Sequence, residues 1–232
     1  MTDHGQNQLV FLLGMPRSGT KLLRDLVNNQ PQVCILPIET QFIPALYARF
    51  MSSDLSHFET FRRLYAAFGG TTYAINARKI GIYLPNCREW FDACSSHSLD
   101  QVFRQFFLLS AGTLKPSATV IGDKTPRYVG HVPLLRQLFP GSLFIHLVRD
   151  PRDRALSEAR VWKKSTRKSV RDWAVVQESV HSSLHDCTDR VAECQYEALL
   201  SSPEETLSTL FDCLGLPYTN TPVTLERAPE KH

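Results

Sequence analysis

The sequence predicts a single α/β domain, residues 1–232, built on a central and mostly parallel β-sheet with flanking helices. Two continuous apolar runs, QLVFLLG at 8–14 and LFIHLV at 143–148, are typical of strands that are buried on both faces. Predicted strands alternate along the chain with segments of helical periodicity, which is the order that parallel sheets require. The 232 residues are enough to form one hydrophobic core of good size.

The predicted strands are short segments rich in β-branched and other apolar residues, bounded by glycine, proline or polar turns. They lie at 8–14, 32–36, 118–122, 143–148 and 190–195. The first helix is predicted directly after Gly19, because Leu22, Leu23, Leu26 and Val27 recur at helical spacing. It is expected to end at Gln30, because the residue before a proline is disfavoured in a helix.

Further helices are predicted at 127–139, 154–164, 169–186 and 203–214. Gly215 and Pro217 stop the last of these helices. The region from about 42 to 112 is rich in Phe, Leu, Tyr and Arg and is predicted to be a mostly helical insertion. The tail from about 218 to 232 is predicted to be flexible.

Several classes of protein are disfavoured by composition. The longest apolar run is far shorter than the roughly 20 residues of a membrane-spanning helix, and the first eight residues carry no basic segment of the secretory type. The six cysteines show neither a C-x-x-C pair nor zinc-type spacing. We therefore expect a cytoplasmic protein with reduced thiols, no membrane span and no metal site.

The charge is distributed unevenly along the chain. The net charge is only +3, but the segment 149–171 holds nine basic and three acidic side chains, whereas 172–232 holds three basic and eleven acidic ones. A basic block inside a folded chain favours an anionic ligand, although a solvated helix face produces the same pattern. No nucleic-acid partner is expected, since the chain is not basic throughout and has no base-reading motif.

The segment Gly14-Met15-Pro16-Arg17-Ser18-Gly19-Thr20-Lys21 follows a strand and opens a helix. Backbone N–H groups and the helix dipole at such a point favour a phosphate, and Gly19 allows the ligand to approach closely. The spacing of Gly14 and Gly19 matches the loop of nucleoside-triphosphatases, but Thr20 and Lys21 stand in swapped order. The lysine is thereby displaced by about 100° around the helix.

A second segment, RDPRDRALS at 149–157, places Arg149 at the end of a buried strand and Ser157 on the next helix. An arginine fork and a hydroxyl near free helix N–H groups are both suited to a phosphate. Together the two segments resemble the 5′-phosphosulfate loop and the 3′-phosphate motif of sulfotransferases that use 3′-phosphoadenosine 5′-phosphosulfate (PAPS).

Three other segments add to the resemblance and follow the order of the family over nearly the whole chain. GDKTP at 122–126 is similar to the family's D/E-K-[TS]-P segment. QYEAL at 195–199, followed by LGLP at 214–217, is similar to its closing segment. PIET at 37–40 resembles the E-T segment of tyrosylprotein-type sulfotransferases, whose Glu acts as a base.

The resemblance implies which residues hold the donor. Arg17 and Lys21, with the N–H groups of Ser18, Gly19 and Thr20, would bind the 5′-phosphate. Arg149 and Ser157 would bind the 3′-phosphate, and Tyr196 would pack near the adenine. PAPS is thus the implied donor, the nucleotide product is 3′,5′-adenosine diphosphate (PAP), and no metal is required.

The resemblance also implies a catalytic group of three residues. Arg17 and Lys124 would stabilise the negative charge that develops on the bridging and sulfuryl oxygens. Glu39 would accept the proton of the acceptor. The reaction would transfer a sulfuryl group from PAPS to a hydroxyl or an amine.

The acceptor and two other functions stay open. Gln41 stands where the tyrosylprotein enzymes have an arginine after E-T, which argues against a peptidyl-tyrosine acceptor. The arginines of 42–112 suit an amphipathic or anionic acceptor, so that sugars, lipids, phenols and peptides remain candidates. The alternatives are a kinase of the P-loop type, with Asp123 or Asp150 as the Mg²⁺ ligand, and a catalytically silent nucleotide-binding relative. The sequence does not determine the oligomeric state.

Overall fold

The computed structural model describes residues 7–185 and 190–220. Their strands form one five-stranded sheet in the order β2-β3-β1-β4-β5, with every neighbouring pair parallel. The strands are β1 Gln8–Gly14, β2 Val33–Ile35, β3 Val120–Lys124, β4 Leu143–Val148 and β5 Val191–Gln195. The predicted α/β fold is confirmed, and the sheet is wholly parallel across these strands.

The helices cover both faces of the sheet. Those before β3 are α1 Thr20–Asn28, α2 Ile43–Phe50, α3 Phe58–Gly69, α4 Thr72–Lys79, α5 Cys87–Ala93 and α6 Leu99–Leu114. Those after β3 are a 3-10 helix Pro126–Gly130, α7 Val132–Leu138, α8 Pro151–Trp162, α9 Thr166–Leu184, α10 Tyr196–Ser201 and α11 Pro203–Cys213. The helical insertion predicted at 42–112 is present as α2 to α6. Within the described ranges no helix is both long and apolar enough to cross a lipid bilayer.

Two hydrophobic clusters lie on opposite faces of the sheet because successive strand side chains alternate. In β1, Phe11 packs against Phe107, Phe139 and Phe144 in the larger cluster, which also holds the helices of the insertion. The neighbouring Leu12 belongs to the second cluster, with side chains of α1, α10 and α11. The central strand is therefore buried on both faces, which explains its continuous apolar sequence.

The third strand is displaced by two residues from the prediction of 118–122. It runs from Val120 to Lys124, so that Asp123 and Lys124 pair with β1 in register with Phe11 and Leu12. Gly122 permits this pairing, because a Cβ atom there would lie 2.1 Å from the Val10 carbonyl oxygen. As a consequence, Lys124 is the last residue of a central strand and does not belong to the following loop.

Several helices also differ from the prediction. The helix expected at 127–139 is divided into the 3-10 helix and α7, because Pro133 has no N–H and begins a new first turn. Helix α8 begins at Pro151 and not at 154, since the Asp150 carboxylate caps it by accepting the Arg152 N–H at 2.8 Å. Helix α10 was not predicted. Helix α9 begins at Thr166 and not at 169, and it ends at Leu184. Residue 186, residues 221–232 of the predicted tail, and Cys187 lie outside the described residues.

Candidate active site

A cleft of about 930 Å³ lies where the chain leaves the carboxyl ends of β1, β3 and β4. In open parallel sheets, ligands usually bind beyond the carboxyl ends of the strands. Most of the residues that the sequence singled out line this one cleft. They are Arg17, Gly19, Thr20, Lys21, Glu39, Lys124, Arg149 and Tyr196.

The loop between β1 and α1 has the backbone shape of an anion-binding turn. Arg17 and Gly19 both adopt positive φ angles, 71° and 92°. Gly14 permits a close approach of the chain, because a Cβ atom there would lie 2.7 Å from Thr20 and 2.9 Å from the Leu147 carbonyl oxygen. The loop leads into the N-terminus of α1, whose free N–H groups and dipole attract a negative charge.

Ser18 occupies a different position from its neighbours in the loop. It is buried, and its N–H donates to the Met15 carbonyl at 3.1 Å. Ser18 therefore stabilises the turn internally in this structure, while Gly19, Thr20 and Lys21 lie on the cleft wall.

Tyr196 closes one side of the loop. Its ring lies against Gly19 so closely that a Cβ atom on that glycine would be 2.3 Å from two ring carbons. The Arg149 guanidinium stacks on the same ring, 4.5 Å from its centroid. Glycine is therefore required at position 19 both by the φ angle and by the tyrosine ring.

A cationic group forms where β4 and α8 meet the loop. Arg149 donates from Nη1 to the Arg17 carbonyl at 3.0 Å, and Arg17 donates from Nε to the Ser157 hydroxyl at 3.1 Å. The Nε atom of Arg149 is buried and has no hydrogen-bond partner among the described residues. A buried donor without a partner is costly, and a phosphate oxygen would satisfy it. The arrangement therefore fits a phosphate group bound between Arg149 and Ser157.

The second group in the cleft is an ion pair. The Lys124 ammonium donates to Glu39 Oε1 at 2.7 Å, and the Lys124 side chain is only 2% exposed. The second carboxylate oxygen of Glu39 accepts from the Gln41 side-chain amide at 2.7 Å. One carboxylate and one cation are thus held side by side, with Glu39 at 20% exposure and able to meet a ligand in the cleft.

Buried polar groups form hydrogen bonds with the loop that carries Glu39. The Thr40 N–H donates to Asp123 Oδ1 at 3.1 Å, and the Thr40 hydroxyl lies 2.7 Å from the Tyr128 hydroxyl. Complete burial raises the pKa of Asp123 to about 7, against the opposing effect of the hydrogen bond from the Thr40 N–H. Burial also raises the pKa of Tyr128, so this hydroxyl stays protonated and serves as a hydrogen-bonding group.

A family model described as "Sulfotransferase family" matches residues 9–220 of the chain. The chain belongs to the sulfotransferase family. The match spans the phosphate loop, the Glu39–Lys124 pair and the Arg149–Ser157 group, so the motifs that suggested the family lie within it.

Two vertebrate members of this family are similar in sequence. Protein-tyrosine sulfotransferase 1 of Danio rerio is 23% identical over 219 residues, which are 91% of this chain and 54% of that protein. Protein-tyrosine sulfotransferase 2 of Gallus gallus is 26% identical over 223 residues, 92% of this chain and 52% of that protein. The chain thus spans about half the length of these two relatives.

Two solved sulfotransferase domains share the fold. The domain from the curacin biosynthetic pathway superposes with a TM-score of 0.61 at 21% identity, covering 91% of this chain and 75% of that one. The domain from the Synechococcus PCC 7002 olefin synthase superposes with a TM-score of 0.58 at 23% identity, covering 94% and 76%. At such identities the likeness establishes the sulfotransferase fold alone.

Some residues of this candidate site were not predicted. Trp162, at the end of α8, lines the cleft with its ring centroid 5.9 Å from the Arg17 guanidinium carbon. Thr72, Asn76 and Lys79 of α4 also line the cleft, as does Arg127 of the 3-10 helix. The spacing of the three α4 residues, i, i+4 and i+7, marks one helix face and is the signal that could have identified them.

Proposed function

We propose that this chain is a PAPS-dependent sulfotransferase, which transfers a sulfuryl group to a hydroxyl or amine and releases PAP. The observation that carries the proposal is the convergence of three groups on one cleft. These are the β1–α1 loop, Arg149 at the β4–α8 junction, which is linked to Ser157 through Arg17, and the Glu39–Lys124 ion pair. A donor with two phosphates and a transferable sulfuryl group requires all three.

The two cationic regions of the cleft suit the two phosphates of the donor. The loop and the N-terminus of α1 offer backbone N–H groups to the 5′-phosphate. Arg149 and Ser157 offer a buried N–H and a hydroxyl to the 3′-phosphate. Arg17 lies between the two regions, because its side chain contacts Ser157 while its backbone forms part of the loop.

The chemistry assigns one task to each member of the ion pair. In the transfer, a bond forms between the acceptor oxygen or nitrogen and sulfur, while the bond from sulfur to the bridging oxygen breaks. The electron pair of the broken bond stays on the 5′-phosphate of PAP. Lys124 would stabilise this developing negative charge, and Glu39 would take the proton from the acceptor.

The two acidic residues that could hold Mg²⁺ argue against the kinase alternative. Asp123 is fully buried and accepts the Thr40 N–H, so it is turned away from solvent. Asp150 caps α8 and forms an ion pair with Arg152 at 2.6 Å. Both carboxylates are therefore engaged in structural contacts.

Thermal stabilisation separates these two functions. A ligand that binds only the folded state raises the melting temperature by mass action. We expect PAP in the presence of a metal chelator to raise the melting temperature, and Mg-ATP to raise it less. Stabilisation by Mg-ATP alone would contradict the proposal.

We propose further that the acceptor is polar and negatively charged. The part of the cleft wall formed by α4 and the 3-10 helix carries Thr72, Asn76, Lys79 and Arg127, and none of these residues is assigned to the donor. The relatives are named for protein tyrosine, but the cationic wall here suits any hydroxylated anion, including a sugar acid. In a screen with labelled donor, acidic acceptors should outperform neutral analogues of the same size. Preference for the neutral analogues would contradict this assignment.

Cytoplasmic location stays a prediction from the sequence. The free thiols in the described part of the chain are consistent with it, because burial raises the pKa of Cys94 and of Cys194 to about 11 and keeps both protonated and unreactive. Cell fractionation with thiol titration of the purified protein tests the prediction. Recovery in an exported fraction with oxidised cysteines would contradict it.

A further inference from the structure

Helix α8 contains a buried ion pair that takes no part in the chemistry described above. Arg154 and Glu158 are one helical turn apart, with a nitrogen–oxygen distance of 2.8 Å and both side chains 3% exposed. The loss of hydration offsets much of the attraction in such a pair, so it is a weak source of stability. What its hydrogen bonds provide instead is one defined arrangement of the neighbouring segments.

The Arg154 guanidinium connects three parts of the chain. Its Nη2 donates to Glu158, its Nη1 to the Ser169 carbonyl of α9 at 3.2 Å, and its Nε to the Pro16 carbonyl at 3.1 Å. Ser169 also donates its hydroxyl to the other oxygen of Glu158 at 2.6 Å. The planar, five-donor fork of arginine is suited to serve three acceptors in fixed directions.

The contact to Pro16 acts on the donor loop. The Pro16 carbonyl and the Arg17 N–H share one planar trans peptide, so holding the carbonyl towards Arg154 directs the N–H to the opposite side. The next carbonyl, that of Arg17, accepts from Arg149 at 3.0 Å. Both peptide planes around the positive-φ residue Arg17 are therefore held by arginines of the β4–α8 segment.

The same β4–α8 segment carries the residues assigned to the 3′-phosphate. We infer that Arg154 is a positioning residue, which sets the separation between the loop that holds the 5′-phosphate and the Arg149–Ser157 group. Arg154 does not touch the donor in this account. It makes the two phosphate subsites one rigid unit, so that a nucleotide with both phosphates binds more tightly than one with the 5′-phosphate alone. The inference rests on the proposed function.

The test compares PAP with adenosine 5′-monophosphate by calorimetry in metal-free buffer. The variant is the pair Arg154→Met with Glu158→Leu, which leaves no unpaired charge in the helix interior, since Lys164, the other partner of Glu158 at 3.3 Å, is 52% exposed. In the wild type, the 3′-phosphate of PAP increases affinity over the monophosphate. In the double variant this advantage should shrink by about tenfold, a size typical of coupling between sites.

The matched control is Ser169→Ala. It removes the hydroxyl bond to Glu158 but keeps the backbone carbonyl that Arg154 contacts, so it should lower the melting temperature and retain the wild-type ratio of affinities. A double variant that folds and retains the wild-type ratio would overturn the inference, whatever its melting temperature. Failure of the wild-type protein to bind PAP would instead contradict the proposed function, so the two failures are distinguishable.

Discussion

The ammonium of Lys124 lies 2.7 Å from Oε1 of Glu39, which joins the last residue of β3 to the loop after β2. The parallel pairing of β2 with β3 brings these two positions together at one edge of the sheet. In the proposed reaction the two side chains act at opposite ends of the transferred group, one on the acceptor proton and one on the leaving group. This division of tasks leads to separate predictions for the two residues.

Replacing Glu39 with Gln should lower turnover by about 100-fold or more, because a positioned general base typically contributes a factor of that size. PAP affinity should stay within a factor of two or so, since Glu39 is assigned to the acceptor side. Steady-state kinetics together with PAP calorimetry checks both statements. The exposed Glu59→Gln serves as the matched control. Unchanged turnover in Glu39→Gln would remove this residue as the base.

Replacing Lys124 with Met should also lower turnover strongly, because the charge on the leaving oxygen loses its buried cation. The double variant with Glu39→Gln should be little slower than the slower single variant, since residues that act as a unit are not additive in their effects. A complete double-mutant cycle of turnover numbers provides the measurement. Fully additive losses would show that the two residues act independently.

Arg149→Ala should weaken PAP binding by about 10- to 100-fold, the loss expected for charge-assisted hydrogen bonds to a phosphate. Binding of adenosine 5′-monophosphate should fall much less, because Arg149 is assigned to the 3′-phosphate. Calorimetry with the two nucleotides distinguishes these effects. Equal PAP affinity in the variant and the wild type would refute the assignment.

Gly19→Ala should both destabilise the protein and abolish measurable PAP binding. The added methyl group would meet the Tyr196 ring at 2.3 Å in addition to the strain of a φ angle of 92°. Gly81→Ala is the matched control, since Gly81 has a φ angle of 72° with no atom within 4 Å. Backbone strain in Gly81→Ala should lower the free energy of unfolding by about 1–2 kcal/mol, and this variant should retain PAP binding. Retention of PAP binding by Gly19→Ala would show that the loop tolerates a different shape.

The buried carboxyl of Asp123 predicts a pH-dependent effect on stability. Its pKa is raised from 3.8 to about 7 in the folded protein, so the folded state binds the proton more tightly than the unfolded state. Protonation of this carboxyl contributes its full stabilisation below the pKa that Asp123 has in the unfolded chain. This contribution is lost as the pH rises through about 7. Asp123→Asn should therefore gain stability relative to the wild type between pH 5 and pH 8.

Melting temperatures measured across that pH range check the prediction for Asp123. The exposed Asp212→Asn serves as the control for a lost surface charge. If the difference between Asp123→Asn and the wild type is constant from pH 5 to pH 8, Asp123 does not titrate in this range.

The sequence was sufficient for the sheet, the donor loop and the order of the motifs, because these depend on local patterns. Apolar runs mark doubly buried strands, and Gly19 marks the turn with a positive φ angle that leads into α1. The contacts of Arg154 and Tyr196 were not predictable, because they join positions far apart in the chain through packing. The polar face of α4 was also missed, since the direction in which a helix faces is decided by tertiary packing.

The most direct test of the proposed activity follows PAPS, the acceptor and the products by mass spectrometry in a metal-chelating buffer. With acidic acceptors, we expect PAP and an acceptor heavier by one SO₃ group to appear in equal amounts. Both products should be greatly reduced in Glu39→Gln. Absence of any sulfated product across the acceptor screen, together with phosphate transfer from Mg-ATP, would contradict the proposed activity.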